Sequence, residues 1–321
     1  MAILLTGATG KLGKSLLPRL LAKGFKVRAI VRPQSSASLP SGVMRAECDL
    51  SLGSPPASAY FGVDRVIHLA ALVGEYPEKE LKLQNETATR NLLDACPDAC
   101  KRLVLASSIS VYGSYPGELV SEACKPCPDT LYGKSKLAQE RASASFCGKF
   151  PVSALRFGMI YGQNFTEGYY DVFERLSCGK MALIGDGKNR VPLIHSDDAC
   201  RAILYALSSR QPGFRAYNIV GELATQEELL RMAAEALGAK PPVRKAPLLL
   251  AKAALALRWA AGKKGLTADH LRQLSSDRAY SPALAEKELG FGAKVKLGVG
   301  IKAMERAFLA QNGRGQAYGK G

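Results

Sequence analysis

The sequence predicts an α/β protein in which a doubly wound parallel sheet is followed by a smaller, mostly helical carboxyl-terminal lobe. Three observations lead to this prediction. Apolar strands alternate with helices over the first half of the chain, and a glycine-rich turn joins the first strand to the first helix. After about residue 225 the spacing of apolar residues is mostly helical. Such alternation is typical of parallel sheets with helices on both faces.

The period of the apolar residues places each element. Short apolar runs that end at glycine, proline or polar residues predict strands at residues 2–6, 25–31, 43–46, 65–69, 102–106, 152–157, 191–194 and 217–220. Apolar residues three and four positions apart predict helices at residues 11–23, 78–96, 131–146, 169–178, 197–208, 227–237, 248–261 and 299–309. The order of these elements indicates βαβ connections in the first half of the chain.

The composition is that of an ordinary globular protein, with 47% hydrophobic and 22% charged residues. No apolar run reaches the roughly 18 to 20 residues that a membrane span requires. The start of the chain, MAILLTGATGKLG, lacks the basic region and the cleavage site of a signal peptide. A cytoplasmic location is therefore expected.

The formal net charge of +16 raises the question of an anionic partner. The 44 Lys and Arg residues are scattered, and no basic run is interleaved with aromatic residues. We therefore expect no nucleic-acid partner. Attraction for phosphorylated ligands explains the charge more simply.

Eight cysteines occur in a chain without secretion features, which favours reduced thiols over disulfides. Cys124 and Cys127 form a C-x-x-C, and Cys96 and Cys100 stand four residues apart. Together the two pairs could be drawn as a zinc site, but Cys124 and Cys127 lie in a proline-rich stretch with no accompanying His. We expect loop and core thiols, and no metal.

The segment Thr6-Gly-Ala-Thr-Gly-Lys-Leu-Gly13 lies where a phosphate-binding turn belongs, between a strand and a helix. Gly7 would allow the tight turn, Gly10 the close approach of backbone to a pyrophosphate, and Gly13 the close packing of helix on strand. The phosphates would rest at the helix amino terminus. The predicted dinucleotide contacts in this turn are Thr6, Gly7, Thr9, Gly10, Lys11, Leu12 and Gly13.

Tyr132 and Lys136 form a Y-x-x-x-K on a predicted helix, so that both side chains lie on one face. A nearby cation favours the ionised form of a phenol, which is otherwise a poor base at neutral pH. The pair is preceded by a serine motif, Leu105-Ala-Ser-Ser-Ile-Ser-Val-Tyr-Gly113, at the end of the fifth predicted strand. Serine, phenol and ammonium in this order predict one polar site.

The three motifs together resemble those of the extended branch of the short-chain dehydrogenase/reductase superfamily, with its TGxxGxxG, SSxxVYG and YxxxK signatures. The resemblance implies a Rossmann-type fold and hydride transfer between a nicotinamide and a carbonyl or alcohol carbon. Ser108 would bond the substrate oxygen, Tyr132 would donate or accept the proton, and Lys136 would tune Tyr132 and hold the nicotinamide ribose. Ser107 and Ser110 are expected to be structural.

Further cofactor contacts are implied by the same resemblance. Asp49 and Leu50 resemble the pair that contacts the adenine ring. Phe157 belongs to a segment that resembles the one lying along the nicotinamide. The stretch Leu69, Ala70 and Ala71 resembles the one behind the pyrophosphate and ribose. Asn85, with Thr87 and Asn91, resembles the family helix N-x-x-x-T-x-N-L.

The end of the second strand decides between NAD and NADP. NAD users of this branch place an acid there for the ribose 2′-hydroxyl. This chain has Val31 followed by Arg32, with Arg28 and Ser35 as further candidates. Arg32 could hold a 2′-phosphate by charge-assisted hydrogen bonds, so NADP is favoured over NAD.

The substrate is predicted to be a small molecule without a diphosphate. Nucleotide-sugar enzymes of this branch tend to carry Arg four residues before the His of an HVxD-like segment, but here Val191 precedes His195 and Arg190 is displaced by one. The pattern is closer to dihydroflavonol-reductase and 3β-hydroxysteroid-dehydrogenase-like members, which take ring-shaped or lipophilic substrates. His195 is expected to be structural, as are His68 and His270.

Residues 247–264 are rich in alanine and leucine and too interrupted to span a bilayer. We favour a helix in the core or capping the substrate pocket. Docking on a membrane interface, with Trp259, Lys263 and Lys264 at its edge, and a dimer contact are the alternatives. A homodimer through the helices at 78–96 and 131–146 is a further expectation from the family.

The expected domain division follows from these assignments. Residues 1–162, with 190–220 returning to them, form the dinucleotide-binding domain; 163–189 and 221–310 form the substrate lobe; the glycine-rich residues 311–321 are disordered. Three functions stay open. They are an NADP-dependent oxidoreductase of small or lipophilic carbonyls, a nucleotide-sugar epimerase or 4-keto reductase, and a non-catalytic NADP-binding scaffold or sensor.

Overall fold

A computed structural model describes residues 1–115, 119–260 and 276–312. The strands are β1 (Ala2–Thr6), β2 (Lys26–Val31), β3 (Val43–Glu47), β4 (Val63–His68), β5 (Leu103–Ser108), β6 (Leu119–Val120), β7 (Val152–Phe157), β8 (Met159–Tyr161), β9 (Leu183–Ile184), β10 (Arg190–His195), β11 (Phe214–Ile219), β12 (Leu223–Thr225), β13 (Lys245–Ala246) and β14 (Ala279–Tyr280). The helices are α1 (Lys11–Ala22), α2 (Glu78–Leu81), α3 (Ala88–Asp94), α4 (Leu131–Ala144), α5 (Tyr169–Ser177), α6 (Ser196–Leu207), α7 (Gln226–Leu237), α8 (Leu248–Ala260), α9 (Ala283–Leu289) and α10 (Leu297–Gln311).

Seven strands form one sheet in the order β11-β7-β5-β4-β1-β2-β3. Every neighbouring pair in it is parallel. The order reverses on the two sides of β1, as in a doubly wound sheet. The predicted fold class is therefore confirmed.

Apolar strands allow helices to cover both faces of this sheet. On one face α1 and α6 pack against it through residues such as Leu16, Leu20 and Ile203. On the other face α3 packs against it through Leu92 and Leu93. A separate apolar cluster joins α5, α7 and α10 to the three-stranded sheet β12-β10-β8 in the carboxyl-terminal lobe.

Three differences from the expected elements have local causes. The predicted helix 78–96 is interrupted between α2 and α3 by a π-helical segment, Lys82–Thr87, whose wider turns the apolar period does not reveal. Strand β5 runs to Ser108, beyond the expected end at residue 106. Helix α10 continues to Gln311, so that residues 311 and 312 are not part of a disordered tail. The rest of that tail, residues 313–321, lies outside the described residues.

Other short elements were not predicted, because two- and three-residue strands and the seven-residue α9 are too short to show a period. The structure does not test the domain division, which stays a prediction. Within the described residues, no helix combines the length and the apolarity that crossing a membrane requires.

A buried ion pair ties α4 to the sheet. Arg156 of β7 and Glu140 of α4 form two hydrogen bonds, of 3.0 and 2.7 Å, and their side chains are 5% and 3% exposed. Ser107 at the end of β5 donates to the same carboxylate. Arg156 also donates to the hydroxyl of Tyr112, at 2.7 Å. The carboxylate thereby connects one helix to two neighbouring strands.

Replacement of Arg156 by Met should lower the free energy of unfolding by about 3 to 5 kcal/mol, because Glu140 would stay buried without its counter-charge. Urea unfolding measures the change. The matched control is Arg231→Met, which breaks an exposed pair with Glu235 of 2.7 Å and should lower stability by about 1 kcal/mol or less. Equal losses in the two variants would contradict this account of the buried pair.

Candidate active site

A cavity of about 1720 Å³ lies at the carboxyl ends of the parallel strands. Its wall includes Thr6 at the end of β1, Val31 at the end of β2, Ser108 at the end of β5 and Phe157 at the end of β7. In open parallel sheets ligands bind at this edge, next to the strand at which the order reverses. The cavity is therefore the candidate active site.

Close backbone contacts explain the glycines of the opening turn. Gly7 has a φ of +70°, and a Cβ there would lie 2.8 Å from the Ala70 amide nitrogen. A Cβ on Gly13 would lie 2.1 Å from the Gly7 carbonyl oxygen. A Cβ on Gly10 would meet only that oxygen, at 3.3 Å. Two glycines thus permit packing of the protein on itself, and the third leaves room for a ligand.

The amino terminus of α1 carries no side-chain cap. Gly10 occupies the cap position, and the first helical turn has no acidic residue. Its backbone N–H groups and the positive end of the helix dipole therefore suit a phosphate. Thr9, Lys11 and Leu12 line the cavity at this point. The turn fits the pyrophosphate of a dinucleotide.

We call the part of the cavity next to the glycine turn, β2 and β3 the cofactor half. Its other end is lined by Arg32, Ser35, Asp49 and Leu50. Arg32 is exposed and directly follows β2. Asp49 accepts hydrogen bonds from the amide and hydroxyl of Ser51, at 3.0 and 2.6 Å, which shapes the turn after β3. Among the described residues that line this end, Arg32 is the cation.

Arg28 does not assist it, in contrast to the expectation. Its guanidinium donates to the Ser58 carbonyl oxygen at 3.2 Å and lies over the ring of Phe61, 5.9 Å from the centroid. The residue does not line the cavity. Arg28 lies three residues before the end of β2, whereas the cavity lies at the carboxyl end of that strand.

Ser108, Tyr132 and Lys136 line the same cavity. Ser108 is the last residue of β5, and its hydroxyl contacts Ser110 at the amide nitrogen, 3.2 Å, and at the hydroxyl, 3.1 Å. Tyr132 and Lys136 lie in the first two turns of α4, whose amino terminus is capped by Thr130. The structure thus brings the predicted serine, phenol and amine together.

Gly133 allows the two motifs to meet, and sequence reasoning missed it. A Cβ on Gly133 would lie 2.4 Å from the Ser110 carbonyl oxygen. The first turn of α4 therefore rests directly on the backbone of the serine motif. The available signal was a glycine in the interior of a predicted helix, where it lowers helix stability and needs a packing reason.

Lys136 is 2% exposed and points into a polar interior. Its ammonium donates to the Ala106 carbonyl oxygen at 2.7 Å and to the Gln139 side-chain oxygen. Burial lowers the pKa of Lys136 to about 7, and Glu140 partly opposes this effect. The charge of this amine therefore changes near neutral pH.

A chain of buried hydrogen bonds links Lys136 to the glycine turn. Gln139 contacts the Nε2 atom of His68 at 3.1 Å, and the Nδ1 atom of His68 meets the Thr6 hydroxyl at 2.6 Å. The Thr6 hydroxyl also accepts from the Ala70 amide at 3.1 Å. Burial lowers the pKa of His68 to about 3, so this residue is neutral and structural. The side chain of Thr6 consequently serves the fold, although the residue lines the cavity.

Asn85 is corrected from a cofactor contact to a positioning residue. It is fully buried and outside the cavity wall. Its amide bonds both the nitrogen and the oxygen of Leu72, at 2.7 and 3.0 Å, and the Ser135 hydroxyl at 2.9 Å. The threonine that joins the buried network from this helix is Thr89, which contacts His68 at 2.8 Å, and not Thr87.

Asn91 supports the adenine end, because its amide donates to the Leu50 carbonyl oxygen at 2.8 Å. Leu69, Ala70 and Ala71 line the cavity as expected, and so does Phe157.

The remaining lining forms what we call the substrate-side wall. It comprises the loop after β4, strand β8 and the approach to α5. Its apolar members are Val73, Tyr76, Met159, Ile160, Phe165, Tyr169 and Val172, and its carboxylates are Glu75, Glu167 and Asp171. Glu167 pairs with Lys11 at 2.8 Å. In the described part of the chain this wall contains no Lys or Arg.

Arg190 and His195 also lie outside the cavity wall. Arg190 is held by Asp277 through two side-chain hydrogen bonds, of 2.7 and 2.6 Å. His195 accepts from the Asp197 amide at 3.2 Å and caps α6, which fits the structural role expected for it. His270 falls outside the described residues.

The favoured interpretation of residues 247–264 as a core helix or pocket cap stays a prediction, because the side chains of Lys252, Leu255 and residues 258–264 lie outside the described part of the structure. No described residue of α8 lines the cavity, and Leu249, Leu250 and Leu257 are exposed. Lys263, Lys264 and the side chain of Trp259 lie outside the described residues.

The C-x-x-C has a packing role at one end. Cys124 is half-buried and Cys127 exposed. The Cys127 carbonyl oxygen would lie 2.1 Å from a Cβ on Gly113, the positive-φ glycine that ends the serine motif. Among residues 1–115, 119–260 and 276–312, no three side chains gather as potential metal ligands.

The doubly wound sheet, the phosphate-binding turn and the serine, tyrosine and lysine at one cavity define the class of NAD(P)-dependent oxidoreductases and epimerases of the short-chain type. The chain belongs to the NAD dependent epimerase/dehydratase family, whose model matches residues 3–220.

Relatives extend over almost the whole chain. The 2-alkyl-3-oxoalkanoate reductase of Stenotrophomonas maltophilia (strain K279a) is 28% identical, and the alignment covers 97% of this chain and all of the relative. A 3-beta-hydroxysteroid dehydrogenase of Mycolicibacterium neoaurum is 26% identical, and the alignment covers 90% of this chain and 86% of the relative. The structure of MoeE5 with UDP-glucuronic acid and NAD is similar, with a TM-score of 0.76 and 27% sequence identity. The superposition covers 97% of this chain and 100% of the MoeE5 chain.

Substitution of Gly133 by Ala should lower kcat by about tenfold or more, because the added Cβ pushes α4 away from the serine motif and misplaces Tyr132 relative to Ser108. Steady-state kinetics and a cofactor titration measure the effect, and cofactor affinity should change far less. Gly148→Ala is the matched control, since a Cβ there meets nothing within 4 Å. A Gly133→Ala enzyme with unaltered kcat would show that this contact does not position the site.

Proposed function

We propose that this protein is an NADP-dependent oxidoreductase that transfers a hydride between the nicotinamide and a carbonyl or secondary alcohol carbon of an uncharged, lipophilic substrate. The observation that carries the proposal is the distribution of charge around the cavity. Lys11 and Arg32 lie at the cofactor half, whereas the substrate-side wall offers apolar side chains and carboxylates.

Three side chains perform the chemistry in this proposal. The Tyr132 hydroxyl donates its proton to the carbonyl oxygen, and the Ser108 hydroxyl donates a hydrogen bond to the same oxygen as negative charge develops there. The Lys136 ammonium favours the ionised phenol that remains. NADPH, when bound, supplies the hydride. In the oxidative direction the phenolate accepts the proton.

Lipophilic substrates fit the composition of the substrate-side wall. Seven of its members are apolar or aromatic, which favours burial of a hydrocarbon surface. Asp171 would repel an anionic group, whereas Glu167 is already paired with Lys11, and no described Lys or Arg of this wall offers a partner for a diphosphate. Two of the relatives, the 2-alkyl-3-oxoalkanoate reductase and the 3-beta-hydroxysteroid dehydrogenase, are enzymes of this class of reaction, which supports the proposal.

Nucleotide-sugar epimerisation is the second candidate, because the similar MoeE5 structure contains UDP-glucuronic acid and NAD. The engagement of Arg190 by Asp277 speaks against it. The arginine nearest in sequence to the family's diphosphate-binding position is already neutralised by a carboxylate.

A panel of ketones with NADPH tests the proposal. We expect net loss of absorbance at the nicotinamide band with neutral ring-shaped or long-chain ketones. Between a keto ester and its free keto acid, kcat/KM should favour the ester by about tenfold, because one unfavourable charge contact of roughly 1.4 kcal/mol corresponds to that factor. Asp171→Asn should narrow this preference, while Asp94→Asn, at an exposed position on α3, should not.

Conversion of a UDP-sugar to its epimer without net NADPH consumption would overturn the proposal in favour of the second candidate. Tyr132→Phe separates catalysis from a scaffold role. It should lower kcat by about 10²- to 10⁴-fold and leave NADPH binding intact. A fully active Tyr132→Phe protein would sink the enzymatic mechanism.

The cofactor preference has its own test. Arg32→Ala should lower kcat/KM for NADPH by about ten- to hundredfold, because hydrogen bonds to a charged group contribute about 1.5 to 3 kcal/mol. The value for NADH should change little. The control is Arg28→Ala on the same strand, which should leave the NADPH to NADH ratio unchanged. A preference for NADH in the wild-type protein would refute the assignment of Arg32 to the 2′-phosphate. So would an Arg32→Ala variant whose NADPH to NADH ratio of kcat/KM equals that of the wild type.

A further inference from the structure

Helix α8 exposes apolar side chains where a surface helix normally presents polar ones. Leu249, Leu250 and Leu257 are 77%, 63% and 73% exposed. Ala253, Ala254 and Ala256 are exposed as well. At about 100° per residue these six positions form one stripe along the helix. The half-buried Leu248 and Ala251 lie on the opposite side.

The sequence around this helix is exclusively basic. From residue 236 to residue 268 the chain contains seven Lys and Arg residues and no Asp or Glu. Lys240, Arg244 and Lys245 come directly before the helix and are exposed. An apolar stripe next to positive charge is the pattern of a helix that lies in a membrane interface.

The basic segment is fixed to the carboxyl-terminal lobe. Strand β13 pairs with β9, and the Arg244 carbonyl oxygen accepts from the Leu183 amide at 2.9 Å. The start of α8 is therefore held in place next to the exposed cations.

We propose that α8 and the segment Lys240–Lys245 dock the protein on an anionic phospholipid surface. The leucines would enter the boundary between headgroups and acyl chains, and the cations would contact the phosphates. A second copy of this chain fits less well, because like charges would meet across a symmetric contact. A protein groove is an outcome that the vesicle test below distinguishes, since such a partner would leave the protein unbound to lipid.

This surface is independent of the proposed function, since none of its described residues lines the cavity. If both proposals hold, docking would place the enzyme where lipophilic substrates concentrate. Failure of one does not affect the other, because vesicle binding and ketone reduction are measured separately.

Cosedimentation of the full chain with vesicles tests the docking. We expect binding to vesicles of phosphatidylcholine with about a third phosphatidylglycerol to exceed binding to phosphatidylcholine alone by about tenfold or more, and to weaken with salt. Substitution of the three cations by Gln should reduce the partition coefficient about fivefold per charge, since each contributes on the order of 1 kcal/mol.

The apolar contribution is tested by Leu249→Asp and Leu250→Asp, each of which should reduce the partition coefficient about tenfold. Val299→Asp is the matched control, because Val299 is 64% exposed on α10. Circular dichroism verifies that each variant is folded, and Leu257→Ser replaces any that is not.

Wild-type protein that stays in the supernatant with anionic vesicles would overturn the proposal, as would leucine variants that bind like the wild type. Sedimentation velocity measures whether the protein self-associates. A dimer that Leu249→Asp dissociates, without vesicle binding, would assign the stripe to a second copy of the chain instead.

Discussion

The carboxylate of Glu140, buried between a helix and two strands, is the constraint on which the site depends. A buried charge is tolerated only when it is paired and hydrogen-bonded, and here Arg156 and Ser107 supply those bonds. The ion pair helps to fix how α4 packs on the sheet, and Tyr132 and Lys136 belong to that helix. Ser107 is the neighbour of Ser108, so the same interaction also holds the end of β5 that carries the third candidate residue.

A second polar network connects the amine of Lys136 to the cofactor turn. It runs through Gln139 and His68 to Thr6, and each member is buried and hydrogen-bonded. Buried polar groups are tolerated only when they are hydrogen-bonded, and these bonds hold α4 against the ends of β4 and β1. The buried amine titrates near neutral pH, and contact with an anionic cofactor or a phenolate would favour its charged form.

Charge is distributed unevenly over this strongly basic protein. Lys11 and Arg32 line the cavity at the glycine turn and after β2, carboxylates line the substrate-side wall, and residues 236–268 contain seven Lys and Arg and no Asp or Glu. Each region suits a different chemistry: an anionic cofactor, an uncharged substrate and an anionic surface. The net charge alone shows none of these distinctions.

The sequence by itself determined the doubly wound fold, the phosphate turn and the Ser108, Tyr132 and Lys136 set, because these follow from local periods and short spacings. Only the tertiary structure showed that Asn85 is a buried support, that Arg28 contacts Ser58, and that Gly133 lets α4 touch the serine motif. It likewise placed Leu249, Leu250 and Leu257 of α8 on the surface. The physical reason is that a local pattern specifies which elements form and which face is apolar. What a side chain meets across 50 or 100 residues depends on how those elements pack.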